Sequence, residues 1–186
     1  MEDMSGVEQK LPLQICIVGD QLAKDQNFVK TCLNFGYPVI TSSTGEEVIQ
    51  DTEHGTVFVV SDFSGPIFNR LHEAKKQILG PPAVKDLALN NLPLLQKRFP
   101  VYCLALHGCV IVFSGIRRKS DLDKNLKYIH SMGGSVKKDI ACGKPTTQVV
   151  AGSSIGDKYQ YATTFSIPGR MTNQCLVTNQ PIMFQF

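Results

Sequence analysis

The sequence contains no tryptophan, no long apolar segment and no glycine motif of the nucleotide-binding type. No apolar run approaches the roughly 20 residues that cross a bilayer, so we expect no transmembrane helix. The first ten residues are mostly polar, which is not the pattern of a secretory signal, and we expect a soluble intracellular chain. Because neither G-x-G-x-x-G nor G-x-x-x-x-G-K-[ST] occurs, a nucleotide-binding enzyme is the least favoured class.

The cysteines and histidines do not show the spacing of a metal site, a disulfide framework or a catalytic group. No two cysteines are separated by the two to four residues of a zinc knuckle. Reduced thiols are expected in a chain without a secretion signal, and we predict no metal and no cofactor. These residues are Cys16, Cys32, Cys103, Cys109, Cys142 and Cys175, with His54, His72, His107 and His130.

The positive charge is concentrated in the second half of the chain. Residues 1–100 contain 9 Lys and Arg against 12 Asp and Glu, whereas residues 101–186 contain 10 against 4. This asymmetry predicts an anionic partner for the second half alone. A basic face that is merely solvated accounts for the same counts equally well.

An internal duplication is the most informative feature of the sequence. In the first half, an apolar run over 15–18 ends at Gly19. A helix that begins at an Asp25 cap follows and ends at Gly36, since glycine accepts the left-handed conformation after a helix. The elements predicted next are strands at 38–40 and 57–60 and a helix from Pro66, a residue favoured in a first helical turn. An Ile78–Leu79 run then precedes Gly80–Pro81–Pro82, which we expect to break the structure.

The second half repeats this order of elements. An apolar run over 109–113 ends at Ser114–Gly115, and a helix with a Ser120 cap ends at Gly133. The interval from Gly115 to Gly133 is 18 residues, close to the 17 residues between the corresponding glycines of the first half. The elements predicted next are a strand from Val136, a strand over 148–151 and a helix from Lys158.

Apolar strands that alternate with helices predict parallel strands buried on both faces and joined by right-handed crossovers. The predicted fold class is therefore α/β, with two small three-layer β-α-β-β-α units that each have a parallel central sheet. The predicted organisation is a flexible N-terminus 1–10, a first unit 11–84, a connecting segment 85–100, a second unit 101–165 and a divergent tail 166–186.

Several short segments of the second half resemble a BRCT domain. They are Phe113 to Arg117, Met132 to Gly134, Val149 to Ala151 and Gly156 to Tyr159. Val57 to Pro82 and Val110 to Lys158, in this order, are similar to the amino-terminal BRCT region of the epithelial-cell-transforming/Pebble family of cytokinesis Rho guanine-nucleotide exchange factors. In that family a degenerate BRCT repeat precedes a phosphopeptide-binding one. The resemblance covers about residues 11–165.

The resemblance implies a phosphate-binding site at Ser114, Gly115 and Lys158. A turn after a buried strand offers the Ser114 hydroxyl and the Gly115 N–H, and a helix N-terminus near Lys158 adds unpaired N–H groups and positive charge. Taken alone, Ser114–Gly115 is also consistent with an ordinary tight turn, and Lys158 with a solvated lysine. Their match to the phosphate-binding positions of the family favours function.

Three basic residues after the same turn, Arg117, Arg118 and Lys119, are auxiliary candidates that would steer an acidic segment, although such a triplet is more often simply exposed. The first unit has no hydroxyl at Val18–Gly19 and no lysine at Ser64–Gly65–Pro66. We therefore predict no phosphate site in the first unit and assign it a packing role.

The sequence departs from the family pattern after Phe165. The phosphate-binding repeat of the family continues into a fourth strand and a final helix with a buried tryptophan, and this chain has no tryptophan. We expect the second unit to be truncated at its C-terminal helix, with Pro181 to Met183 as the candidate for a fourth strand.

The resemblance implies a non-enzymatic phosphopeptide-binding regulatory module, because the family's exchange domain is missing here. The implied partners are a phosphorylated GTPase-activating subunit of the central spindle and the exchange domain of the full-length protein, which such a module restrains. The implied localisation is the nucleus and cytoplasm, with the central spindle and cleavage furrow in dividing cells. No membrane partner is expected. The alternative is a BRCT-type module that binds nucleic-acid phosphates in DNA damage or replication.

Overall fold

The computed structural model describes residues 11–140, 148–154 and 156–167, and the backbone of residues 169–171. The chain divides into two compact units, Met1–Arg98 and Phe99–Phe186. Each unit is built on a four-stranded sheet in which every pairing is parallel. The α/β class predicted from the sequence is therefore confirmed.

The first unit has the strand order β2-β1-β3-β4. Its first long helix begins where predicted, because the Asp25 carboxylate accepts hydrogen bonds from the N–H groups of Asn27 and Phe28. Pro66 likewise occupies the first turn of its helix. The elements are β1 Leu13–Val18, α1 Asp20–Lys24, α2 Gln26–Leu33, β2 Val39–Ser42, α3 Glu46–Ile49, β3 Gly55–Val59, α4 Pro66–Glu73, β4 Gln77–Leu79 and α5 Pro81–Leu89.

The central strand β1 is buried on both of its faces. Cys16 and Val18 pack with Leu71 of α4 on one face. The alternate residues Ile15 and Ile17 point to the other face and are also fully buried. Strands of this kind read as continuous apolar runs, which explains why the run 15–18 was recognisable in the sequence.

The second unit has the strand order β6-β5-β7-β8, which is the order of the first unit repeated. The duplication read from the glycine spacing is thus present in the topology. The elements are β5 Val110–Ser114, α6 Lys119–Ser131, β6 Ser135–Lys137, β7 Gln148–Ala151, α7 Asp157–Thr164 and β8 Gly169–Met171.

In the described part of the second unit, α6 and α7 lie on opposite faces of the sheet, which gives three layers. Ile111 of β5 packs with Ile129 of α6 on one face. The neighbouring residue Val112 packs with Ala162 of α7 on the other face. Because successive side chains of a strand alternate between faces, β5 lies between the two helices.

Four features differ from the sequence-based expectations. The Gly80–Pro81–Pro82 segment starts helix α5 instead of only breaking structure, since proline fits a first helical turn, and residues 85–89 of the predicted connection lie in this helix. The run 77–79 is strand β4. The cap of α6 is Arg118 rather than Ser120, and it makes no side-chain capping bond. A fourth strand of the second sheet is present at Gly169–Met171, while the candidate segment 181–183 lies outside the described residues.

Candidate anion site at the carboxyl end of the second sheet

Ser114 is the last residue of β5 and has a buried side chain, 6% exposed. Its carbonyl oxygen accepts a hydrogen bond of 2.8 Å from the N–H of Gly152, which follows the neighbouring strand β7. Gly115 comes next with φ +65°, a left-handed conformation that glycine adopts without steric cost. The chain therefore turns sharply away from the sheet immediately after the hydroxyl.

The turns that follow β5 and β7 touch each other through their backbones. A Cβ on Gly152 would lie 2.6 Å from the carbonyl oxygen of Gly115, so only glycine fits at this position without a shift. A Cβ on Gly115 would lie 3.4 Å from the backbone nitrogen of Ser153. Gly115 is exposed and has no side chain beside its N–H.

The Ser114 hydroxyl lies at the N-terminus of α7. A Cβ on Gly156, the cap residue of this helix, would be 3.3 Å from Ser114 Oγ. The cap makes no side-chain hydrogen bond to the first turn of the helix. The first N–H groups of a helix carry partial positive charge and have no intrahelical hydrogen-bond partner. The Ser114 hydroxyl therefore lies next to a helix end that attracts anions.

Lys158 lies in the first turn of α7, and its ammonium contacts the loop after β6. Nζ donates to the Lys138 carbonyl oxygen at 2.6 Å and lies 2.9 Å from Oδ1 of Asp139. The Lys158 side chain is 35% exposed and the Asp139 side chain 64%. The hydrogen bond from Lys158 lowers the pKa of the Asp139 carboxyl below its usual value of 3.8, so this carboxylate is charged at neutral pH.

A cleft of about 440 Å³ lies beside the turn after β5 and the first turn of α7. Gly115 and Lys158 both line it, so two of the three predicted site residues share one surface, and Ser114 lies beside it at the end of β5. The lining combines apolar side chains with lysines. The other lining residues are Phe113, Ile116, Leu122, Leu126, Val136, Lys137 and Lys138.

The auxiliary triplet and the cleft do not coincide. Arg117, Arg118 and Lys119 are exposed at the start of α6 and do not line the cleft. The basic residues that line the cleft besides Lys158 are Lys137 and Lys138, which the sequence analysis did not single out. A usable signal existed, because Lys137 ends the strand β6 that pairs with β5 in a parallel sheet, Lys138 follows it, and carboxyl ends of parallel strands share one edge.

The matching helix end in the first unit already has a carboxylate beside it. Oδ1 of Asp62 accepts hydrogen bonds from the N–H of Ser64 at 2.8 Å and from its hydroxyl at 2.6 Å. A Cβ on Gly65, the cap of α4, would lie 2.6 Å from Oδ2 of the same carboxylate. This negative charge disfavours a second anion at α4, and the absence of a phosphate site in the first unit stays a prediction.

Within the described ranges, no group of three or more His, Cys, Asp or Glu side chains is arranged to hold a metal ion. Over the same ranges, no helix has the length and apolar character needed to cross a membrane. Cys16, Cys32, Cys103 and Cys109 are free thiols, whereas Cys142 and Cys175 lie outside the described residues.

Two family models match the chain, one for each unit. The model described as the ECT2 BRCT0 domain matches residues 26–102. The model described as a twin BRCT domain matches residues 109–169. The two matches follow the division of the structure into units.

The chain is similar to protein ECT2 of mouse and of human, with 30% identity over 148 residues in both cases. The matched region is 77% of this chain and 16% of each ECT2 protein, so the chain spans about one sixth of the length of these relatives.

Solved structures with the same architecture include yeast Rtt107 in a crystal structure with Mms22. That comparison covers 87% of this chain and 39% of Rtt107, with a TM-score of 0.50 and 11% identity, and at this identity it concerns the fold alone. Rad4 BRCT1,2 in complex with a Crb2 phosphopeptide matches 90% of this chain and 89% of its own, with 18% identity and a TM-score of 0.36.

Proposed function

Since the chain belongs to the BRCT family and its two domains are similar to the ECT2 amino-terminal region, we propose that it is a non-enzymatic module that binds phosphoserine or phosphothreonine peptides through its second unit. The proposed site consists of the Ser114 hydroxyl, the Gly115 N–H and the Lys158 ammonium. The first unit has a packing role in this proposal.

One observation carries the proposal: the Ser114 hydroxyl lies against the cap of the helix that bears Lys158, beside a cleft that Gly115 and Lys158 both line. A phosphate site needs hydrogen-bond donors on the backbone or on short side chains, and a positive charge, all in place before the ligand binds. The Gly115 N–H and the Lys158 ammonium belong to residues that line one cleft, the Ser114 hydroxyl lies beside it, and together they meet this need. Hydrogen bonds to charged groups are each worth about 1.5–3 kcal/mol, and less where water screens them.

The cleft beside the site also suits a peptide rather than an isolated phosphate. Its lining includes Phe113, Leu122 and Val136, which would contact an apolar side chain next to the phosphorylated residue. Lys137 and Lys138, which also line it, would favour acidic neighbours in the peptide. Arg117, Arg118 and Lys119 are proposed only to increase the association rate through long-range attraction.

The proposal extends to a longer protein of the ECT2 type. There, the module would restrain a Rho guanine-nucleotide exchange domain and bind a phosphorylated GTPase-activating subunit of the central-spindle complex. Such a protein would be found in the nucleus and cytoplasm, and at the central spindle and cleavage furrow during division. Neither part of this extension concerns a catalytic group of the present chain, for which no exchange activity is proposed.

The test compares binding to a degenerate library of phosphoserine and phosphothreonine peptides with binding to the same library without phosphate, by fluorescence anisotropy at physiological salt. We expect the wild-type chain to prefer the phosphorylated library by at least tenfold, equivalent to about 1.4 kcal/mol. The Ser114→Ala, Lys158→Met double variant should lose this preference while its circular dichroism spectrum stays unchanged.

Lys127→Met is the matched control, because Lys127 is an exposed lysine of α6 that does not line the cleft. It removes the same charge from the same unit and should leave the preference intact. Retained binding in the double variant would show that the site is assigned wrongly. Tight binding to duplex DNA without a preference for phosphorylated peptides would favour the nucleic-acid alternative instead.

A further inference from the structure

The ammonium that the proposed site depends on is already engaged by another part of the chain. Lys158 Nζ contacts both the Lys138 carbonyl oxygen and the Asp139 carboxylate, so two of its three N–H donors are used. Both contacts come from the loop after β6, and Lys137 and Lys138, which line the cleft, directly precede Asp139. The loop therefore brings a negative charge to the cleft together with two positive ones.

We infer that Asp139 sets the anion affinity of the site by competing with ligand anions for Lys158, an inference that rests on the proposed function. Its carboxylate contacts the same ammonium that a bound anion would contact. The binding free energy of a ligand anion is therefore reduced by this competition.

The argument follows from where the charges lie. A phosphate reaches Lys158 either through the remaining N–H donor or by replacing Asp139. In the first case the Asp139 carboxylate lies next to a phosphate that carries nearly two negative charges, and the like charges repel. In the second case the ion pair with Asp139 is lost. Asp139 lowers the affinity for an anion in both cases.

The magnitude is bounded by the exposure of the pair. Asp139 is 64% exposed, and exposed ion pairs contribute little because water and salt screen them. We expect removal of this charge to tighten anion binding by about two- to fivefold at low salt, in line with the strength of exposed pairs. The gain should become smaller as salt is raised.

The test uses inorganic phosphate at pH 7.5 as the probe and follows the Gly115 amide in ¹H–¹⁵N correlation spectra. The variant is Asp139→Asn, which keeps an oxygen that can accept a hydrogen bond from Lys158 and removes only the charge. The control is Asp123→Asn, which removes a carboxylate from the exposed surface of α6 in the same unit. Asp139→Asn should bind phosphate two- to fivefold more tightly than the wild type, with a smaller gain at 0.3 M salt, and Asp123→Asn should not.

An unchanged or weaker affinity in Asp139→Asn overturns the inference, and a weaker one would mean that the carboxylate positions Lys158 for the ligand. In both cases the phosphopeptide preference of the wild type stands, so the proposed function survives. If neither protein shifts the Gly115 amide with phosphate and the wild type does not prefer the phosphorylated library, the proposed function fails together with the inference.

Discussion

Ser114 and Gly156 lie so close that a Cβ on the glycine would stand 3.3 Å from the serine hydroxyl oxygen. They come from different parts of the second unit, the end of strand β5 and the cap of helix α7. The contact depends on the absence of a side chain at residue 156. This contact places the Ser114 hydroxyl at the N-terminus of α7.

Adding a side chain at residue 156 should weaken phosphopeptide binding. Gly156 has an extended backbone with φ 170°, so the backbone tolerates another residue and the new methyl group acts mainly on Ser114 Oγ. We expect Gly156→Ala to reduce affinity several-fold, as a displacement worth about 1 kcal/mol would. The measurement is peptide binding by anisotropy beside thermal unfolding.

Gly156→Ser separates this effect from helix capping. Serine is a good cap residue, so this variant should keep or increase the stability of α7, whereas alanine lowers it by up to about 1 kcal/mol. Both variants should bind the peptide less tightly. If the serine variant bound as well as the wild type, the contact with Ser114 would not control the site.

Three glycines of the second unit should differ in how much a methyl group destabilises the fold. Gly108 has φ +78° and open space around it, so Gly108→Ala measures the left-handed conformation alone, about 1–2 kcal/mol. Gly115→Ala, with φ +65° and ordinary contacts, should cost a similar amount. Gly152→Ala should cost more than either, because its Cβ would lie 2.6 Å from a backbone oxygen. Urea unfolding followed by circular dichroism gives the three values, and an equal or smaller loss for Gly152→Ala would contradict the close approach of the two turns.

The buried cysteines of the first unit should resist alkylation in the folded protein. Burial raises the pKa of Cys16 to about 11 and that of Cys32 to about 12, because a thiolate is poorly solvated among apolar side chains. At pH 8 both should react at least about 100-fold more slowly than they do in urea, since two pKa units correspond to that factor. Iodoacetamide labelling with residue-level mass spectrometry measures the rates. Fast native labelling of Cys32, at a rate near that of the half-buried Cys103, would contradict the packing of α2 against the sheet.

The Asp62 carboxylate should make the first unit less stable in acid. The hydrogen bond from the Ser64 hydroxyl lowers the Asp62 pKa below its usual value of 3.8. A lowered pKa in the folded state gives stability that is complete above pH 3.8 and disappears as the pH falls through the folded-state value. Wild type should therefore exceed Asp62→Asn in stability at pH 6, and the difference should shrink below pH 3.8. Thermal unfolding from pH 6 to pH 2 tests this, and a difference that stays constant would show that the charge is irrelevant.

Much of the fold could be predicted because its signals are local. The Asp25 cap, the buried run 15–18 and the glycines that end α2 and α6 each depend on residues a few positions apart. The short strands could not be predicted, since Gln77–Leu79 and Gly169–Met171 contain only three residues each and are defined by pairing with a distant neighbour. The Pro81–Pro82 pair was ambiguous for a different reason, because prolines are found both after the end of one element and in the first turn of the next helix.

The candidate site could be predicted only in part. Ser114 and Gly115 follow a recognisable buried strand, and the resemblance to the BRCT pattern singles out Lys158. The contact between Lys158 and Asp139 joins residues 19 positions apart in different elements, and no local pattern encodes it. Lys137 was missed because a lysine that ends a strand looks like any solvated lysine until the neighbouring strand is known.

The most direct test of the central claim is to locate the phosphate on the protein. A phosphoserine peptide recovered from the library is titrated into ¹⁵N-labelled chain, and the amide shifts are mapped for the wild type and the Ser114→Ala, Lys158→Met variant. The account predicts the largest shifts at Gly115 and in the first turn of α7, and none there in the double variant. Shifts that persist in the double variant, or that centre on Asp62 to Gly65 of the first unit, would contradict it.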